Sequence, residues 1–306
     1  MPTAGLLRIH RASNVSDAVP RRIARAGIDA RVQSVYRSVV NITTADGLLT
    51  VASPETGGLP NGVLADLGPD WRMSGLQRGM VVHASDANIE VPEAGLGIQL
   101  NGAPRWSPRF PSSGEVADVA AATWRGRTAR TQAIARARAS ARGFGVLLHE
   151  EATHDDDFWI ADVARPILGE LVVALEAGDR RSAAEVATGL IGLGPGLTPS
   201  GDDTLVGIEA ALHALDSPAA GFLAPAMDDV GDRTTELAAT LLRHAAAGEF
   251  AERLHTLLAA LLGSDDATIA TAIARAAAWG ATSGTDCLLG VLIGLDVAAG
   301  VRRASG

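Results

Sequence analysis

The chain has 306 residues and a mass of 31.4 kDa, room for about two domains. Hydrophobic residues make up 47% and charged residues 20%, which excludes wholesale disorder. The net charge of -9 and pI near 5.2 argue against a non-specific nucleic-acid binder, whose affinity rests on a basic surface. The single cysteine, Cys287, leaves no internal disulfide and fits a reducing compartment. All 26 basic residues are Arg. Without Lys, the chain supplies no Schiff base, no pyridoxal anchor and no P-loop lysine. Phosphate and carboxylate binding stay open, through Arg and backbone amides. An Arg-only, Ala-rich chain also fits a plain bias in genome composition.

The N-terminal apolar run is too short for a signal-peptide core. The longest apolar stretch near the C-terminus, Cys287 to Leu295, is cut by Asp296, short of the roughly 20 residues a span needs. The expectation is a soluble, cytoplasmic protein with no membrane or nucleic-acid partner.

Residues 1–110 read as one domain. Short apolar runs rich in β-branched residues, at 34–43, 48–51 and 80–84, alternate with turn signals at Ala45-Asp-Gly, Gly57-Gly-Leu-Pro-Asn-Gly and Gly68-Pro-Asp. This predicts a small antiparallel sheet or barrel. Residues 101–111, with three prolines, read as the linker. Residues 111–306 read as a larger α-helical domain, so the class is α+β. Helical spacing runs over 115–142, 161–178, 181–191, 203–215, 233–247, 250–262, 266–279 and 286–300. Eight Arg fall within 105–142, a solvated helix face or an anion surface. The run His149-Glu-Glu-Ala-Thr-His-Asp-Asp-Asp reads as an acidic helix start, or else a metal site; its two His are five apart, which does not stack them on one face.

The most informative segment is Gly192-Leu-Gly-Pro-Gly-Leu-Thr-Pro-Ser-Gly-Asp-Asp-Thr-Leu-Val-Gly207. Gly280-Ala-Thr-Ser-Gly-Thr-Asp-Cys-Leu-Leu-Gly290 echoes it. Both contain Ser-Gly-x-Asp-x-Leu-x-Gly, with Ser200/Ser283, Gly201/Gly284, Asp203/Asp286, Leu205/Leu288 and Gly207/Gly290 at a constant offset of 83. Two related helical halves with equivalent loops, meeting at one site, would explain this. Each Ser, followed three residues on by Asp, has the form of a capping box. Gly207 and Gly290 permit tight helix packing or ligand approach. Two such helix starts, with exposed amides and positive dipole ends, could clamp a phosphate or carboxylate. The plainer alternative is two well-capped buried helices. Asp202 and Asp203 could also hold a hard cation such as Mg²⁺, though no metal site is assigned. A dinucleotide reading fails, because the Gly-rich loop follows a helical pattern and carries prolines.

The first loop, the later Thr-Ser-Gly-x-Asp, the Gly57-Gly-Leu-Pro-Asn-Gly-Val segment, Thr234-Thr-Glu-Leu and Leu242-Arg-His-Ala-Ala-Ala-Gly-Glu together resemble the AllH-like family, named for a subunit of bacterial oxamate carbamoyltransferase. The resemblance implies carbamoyl transfer between carbamoyl phosphate and an amide or ureido acceptor, with AllF/FdrA-like and AllG-like partner subunits. A homo-oligomer is compatible with it. On that basis Gly194, Gly196, Ser200, Gly201, Ser283 and Gly284 would bind substrate, holding phosphate or carbonyl oxygens, with Thr198 as a further donor. Asp203 and Asp286 would orient the loops, and Asp202 would contact the acceptor amide or a cation; these three acids are the catalytic candidates. Such transfer needs positioning and oxyanion stabilisation more than a protein nucleophile. Two further readings are a non-catalytic binding or scaffold subunit and a Mg-dependent hydrolase built on Asp202, Asp203 and the 149–157 acids.

Smaller expectations complete the reading. Cys287 is expected to be a core thiol. His213, His244 and His255 are expected to be structural. Trp71, Trp106, Trp124, Trp159 and Trp279 are expected to anchor cores, Trp279 being placed to wall a pocket. One Arg from 125–142 is expected to reach the site.

Overall fold

A computed structural model describes residues 7–19, 23, 30–45, 47–111, 114–149 and 158–301. The chain divides into two compact units, Met1–Pro108 and Arg109–Gly306. Among the described residues, no helix is long and apolar enough to cross a membrane.

The first unit is a strand-rich half-barrel, and the class is α+β as the sequence implies. Its strands are β1 (Arg8–Ser16), β2 (Arg31–Val35), β3 (Val39–Thr44), β4 (Gly47–Ala52), β5 (Gly62–Ala65), β6 (His83–Ala84), β7 (Asn88–Val91), β8 (Leu96–Gln99) and β9 (Arg105–Trp106). The order is β2-β3-β4-β5-β1-β8-β7-β6, with β9 also on β1. Five pairings are antiparallel; β1–β8, β1–β9 and β4–β5 are parallel. The apolar run 34–43 is not one strand. It breaks at Tyr36–Ser38, where Tyr36 N–H donates to Val39 O, and folds back as the β2–β3 hairpin. The expected linker also contributes β9 to the sheet. Asn61, of the Gly57-to-Val63 segment, is buried; its amide donates to Leu48 O and Thr50 Oγ1, and Thr50 donates to Asn41. Trp71, Ile42, Leu49, Val63, Ile89 and Ile98 centre this unit's core.

The second unit carries α1 (Gly114–Arg138), α2 (Phe158–Glu176), α3 (Arg180–Ala187), α4 (Ser200–Ala214), α5 (Ala224–Asp228), α6 (Glu236–Ala246), α7 (Glu252–Gly263), α8 (Asp266–Ala277) and α9 (Ser283–Ala298). The spans follow the periodicity to within a few residues, three of them starting three residues early, at Phe158, Ser200 and Ser283; the short α5, opened by Pro225, has too few residues to show a period. Helices α4 and α9 are buried almost throughout and form the centre, with Leu205, Ile208, Leu288 and Val291 in the core. Helix α1 ties the unit together through polar groups. Arg125 donates to Ala299 O, just past α9, and Arg127 to Leu261 O and Ser264 O at the end of α7; Arg130 pairs with Asp266. Cations at helix C-termini meet the negative dipole end. The Arg-rich stretch is thus in part a set of helix fasteners. Trp124, Thr128 and Gln132 all donate to the buried Asp296 carboxylate.

The histidines are packed as structural groups. His244 bonds Glu249 at 2.8 Å, Glu249 pairs with Arg109 at 3.1 Å, and His255 stacks on Phe110. Trp71 and Trp124 are core anchors, but Trp159, at the start of α2, is 63% exposed and anchors nothing. The acidic run 150–157, with its metal reading, lies outside the described residues.

Candidate functional site

The two motif helices cross so closely that glycine is required on each. A Cβ on Gly207 would lie 2.2 Å from Cys287 O, and one on Gly290 would lie 2.1 Å from Thr204 O. Each of these positions differs from its counterpart by 83, so the contact is a pseudo-two-fold: 207 meets 287 as 290 meets 204. Gly294 extends it against Ile208 O. Of the two uses open to Gly207 and Gly290, helix packing is what the structure displays. The same closeness recurs at the helix starts. A Cβ on Gly201 would strike Leu190 O at 1.9 Å, and one on Gly284 would strike Ala276 O at 1.8 Å. Gly201 N–H donates to Leu193 O at 2.9 Å and Gly284 N–H to Trp279 O at 3.0 Å. These amides are therefore engaged within the fold rather than offered to an anion.

The capping boxes do not form as the spacing implies. Helix α4 begins at Ser200 itself, capped by Pro199, and α9 begins at Ser283, capped by Thr282; neither cap makes a side-chain bond. The carbonyls of Pro199 and Thr282 accept from Asp203 and Asp286. The start is one residue early because the chain already turns at Pro199, whose fixed φ of -54° suits it. Each serine is thereby freed from its own motif and lies against the aspartate of the other. Ser283 and Thr198 neighbour Asp203; Ser200 and Thr282 neighbour Asp286. The hydroxyls of Thr198 and Ser283 are 2.8 Å apart.

Asp202, though adjacent to Asp203, has other partners. Its Oδ1 accepts from Gly192 N–H at 2.9 Å and its Oδ2 from the Thr234 hydroxyl. Both oxygens tie the Gly-rich loop to the start of α6. Gly192, Gly194 and Gly196 all have positive φ (76°, 120° and 101°), the left-handed region open to glycine. Gly194 also packs where a Cβ would lie 2.8 Å from Ser200 N, whereas Gly196 faces open space. Thr235 fixes the loop tip through Leu197 O at 2.5 Å.

Two contributions come from outside the motifs. Phe144 N–H donates to Asp286 Oδ1 at 2.8 Å. Gly143, at φ +58°, lies so close that a Cβ would sit 2.8 Å from both Ser200 Oγ and Asp286 Oδ1. No periodicity marks these residues; the one signal is a Gly-Phe-Gly after an Arg-rich helix. The second is Arg253 on α7, stacked 4.7 Å over the Trp279 ring. Its charge reaches Asp203 and Cys287, whereas Arg125, Arg127 and Arg130 of the expected 125–142 stretch are engaged at helix ends.

The electrostatics follow from burial. Asp203 is pushed up to about 8, chiefly by loss of water and further by Asp286, against the opposing hydroxyls of Ser283 and Thr198 and the Arg253 charge. Asp286 is pushed up to about 6 by burial, opposed by Ser200, Thr282 and the amides of Phe144 and Gly145. Burial drives the Cys287 thiol far up, so it is a neutral core group and no nucleophile. Ser200 Oγ, Asp203 Oδ2 and Asp286 Oδ2 are buried without a hydrogen-bond partner among the described residues. Native interiors rarely leave such atoms unpaired, and three of them fall at this one junction. The chemistry on offer is hydrogen bonding from hydroxyls, two weakly acidic carboxyls and a nearby guanidinium.

Two family models match the chain. One, described as oxamate carbamoyltransferase subunit AllH, matches residues 190–295, a span that includes both motifs. The other, described as the AllH family N-terminal domain, matches residues 11–105. No solved structure matches.

Proposed function

The chain belongs to the AllH family, whose namesake is a subunit of an enzyme, and from that premise we propose that the α4–α9 junction is a substrate site for carbamoyl transfer. The donor is carbamoyl phosphate and the acceptor an amide or ureido compound of the oxamate kind. The observation that carries this reading is the convergence of the two Ser-Gly-x-Asp motifs around three unpartnered buried polar atoms. Carbamoyl transfer asks a protein to orient two small molecules and to stabilise charge on the carbonyl oxygen. Hydroxyls at Thr198, Ser200 and Ser283 suit the carbonyl. Arg253 suits the phosphate better than the helix amides do, because the Gly201 and Gly284 amides are engaged. The remaining machinery belongs to partner subunits, AllF/FdrA-like and AllG-like chains.

The test is thermal unfolding of the purified chain with carbamoyl phosphate, oxamate, inorganic phosphate or chloride. A ligand at a hundred times its Kd adds about 2.7 kcal/mol to the folded state. Stabilisation by carbamoyl phosphate or oxamate but not by chloride is expected. If none of them stabilises the folded chain, the junction is not a substrate site in this subunit. A second reading, a subunit that assembles the complex without binding substrate, is favoured by one feature. Trp159, Val163 and Val173, 63%, 44% and 66% exposed, share one face of α2.

A further inference from the structure

The two halves of the junction are related by the pseudo-two-fold yet are chemically unlike. Asp286 is fully buried and has a backbone donor, Phe144 N–H, on Oδ1. Asp203 is hydrogen-bonded to no backbone amide among the described residues; its neighbours are the half-buried Thr198 and Ser283 hydroxyls. Its Oδ2 has no hydrogen-bond partner among the described residues, and its Oδ1 lies 4.0 Å from the Cys287 thiol. Asp203 is 6% exposed, so this is a carboxyl more than nine-tenths buried with one oxygen unpartnered.

We propose that the Asp203 half receives the primary amide end of the substrate as a two-point hydrogen-bonded pair with the Asp203 carboxyl, while the Asp286 half positions the Ser200 hydroxyl and the Gly143–Phe144 turn. This assignment rests on the junction being a substrate site. A protonated carboxyl presents one donor and one acceptor side by side, and a primary amide presents the complement. Asp203 keeps its proton through neutral pH because water is excluded; Asp286, facing it from α9, adds to this, and Arg253 on α7 works against it. Cys287, also facing it, stays neutral. Carbamoyl phosphate and oxamate both carry an amino group on a carbonyl carbon, so one half-site suits either. A carboxylate in its place would bring no hydrogen-bond donor to the acceptor oxygen of the Asp203 carboxyl.

The experiment is calorimetric titration of the full chain with oxamate and its isostere oxalate, at pH 6.5 and pH 9, each variant first shown to be folded by circular dichroism. Oxamate is expected to bind at least about tenfold tighter than oxalate at the lower pH, since a site built to pair one polar group rejects the analogue lacking it. That preference should fall by about tenfold at the higher pH, where Asp203 has lost its proton. Asp203→Asn, whose own amide pairs with an amide without titrating, should bind oxamate equally at both pH values. Asp203→Ala should lose at least about tenfold. Asp286→Asn should keep the preference but move its pH midpoint down, because the charge that hinders Asp203 ionisation is gone. Equal affinity for oxamate and oxalate, or unchanged oxamate binding by Asp203→Ala, overturns the assignment while leaving the junction a substrate site. Failure of carbamoyl phosphate, oxamate and oxalate all to bind overturns both.

Discussion

Three buried carboxyls govern how this protein should respond to pH. Asp203 and Glu209 are pushed up to about 8 and Asp286 to about 6, in each case chiefly by burial. Glu209 sits inside α4 with one oxygen accepting from Gly221 N–H at 2.7 Å and the other unpartnered. In the unfolded chain all three would ionise near 4. The folded state therefore holds protons that the unfolded state has released. Stability from these groups is complete below about pH 4 and is lost as pH rises through 6 and then 8. A melting temperature that falls between pH 5 and pH 9 is expected by differential scanning fluorimetry. Glu209→Gln keeps an acceptor for Gly221 and removes the ionisation, so its melting point should exceed the parent's at pH 8.5 and match it near pH 5. A parent melting point that climbs across this window would contradict the assignment of these acids as protonated in the fold.

At the scale of elements, the α4–α9 crossing is the feature on which the junction depends. Gly207→Ala or Gly290→Ala inserts a methyl about 2 Å from a backbone carbonyl oxygen, with no flexible side chain to yield. Alanine's better helix propensity returns about 1 kcal/mol, but forcing the helices apart costs about 3 kcal/mol or more. Net destabilisation is expected in urea titrations. Gly126→Ala in α1 and Gly169→Ala in α2 meet nothing within 4 Å and should stabilise by up to about 1 kcal/mol. Much of this is legible in the sequence. Helices with strong period and good formers lie within a few residues of where the pattern puts them, and the constant offset of 83 announces two motifs that meet. What is not legible comes from contacts between elements far apart in the chain. The spacing of Ser200 and Asp203 is that of a capping box, yet the serine that neighbours Asp203 is Ser283. Asp202 reads as a second site acid because it adjoins Asp203. One step along a helix turns a side chain by about 100°, toward Gly192 and Thr234. Arg253 carries no pattern at all, and only the packing of α7 beside Trp279 brings its charge near the acids. In the sheet, alternation locates the apolar runs but does not distinguish parallel from antiparallel pairing, nor show that 34–43 holds a turn.

Across the whole molecule, the hydrophobic material is partitioned as cleanly as the chain. One buried cluster draws its members from Ala12 to Leu100 and the other from Trp124 to Ala299, with no member in common. The two family models divide the chain in the same way, at 11–105 and 190–295. Every residue of the junction lies in the second unit, Arg109–Gly306. A chain with two separate cores is expected to unfold in two calorimetric steps rather than one. A ligand held wholly within one unit stabilises that unit alone, because binding acts only on the equilibrium that creates or destroys its site. For a unit of this size, each kcal/mol moves the midpoint by about 2–4 °C. Saturating oxamate, worth about 2.7 kcal/mol at a hundred times its Kd, should therefore raise the helical unit's transition by roughly 5–10 °C. The strand-rich unit's transition should stay in place, and far-ultraviolet circular dichroism identifies which step is which, since α1–α9 all lie in the second unit. A shift confined to the strand-rich step would put the ligand in the first unit and remove the junction from consideration. A single transition, raised as a whole, would mean that the two cores unfold together.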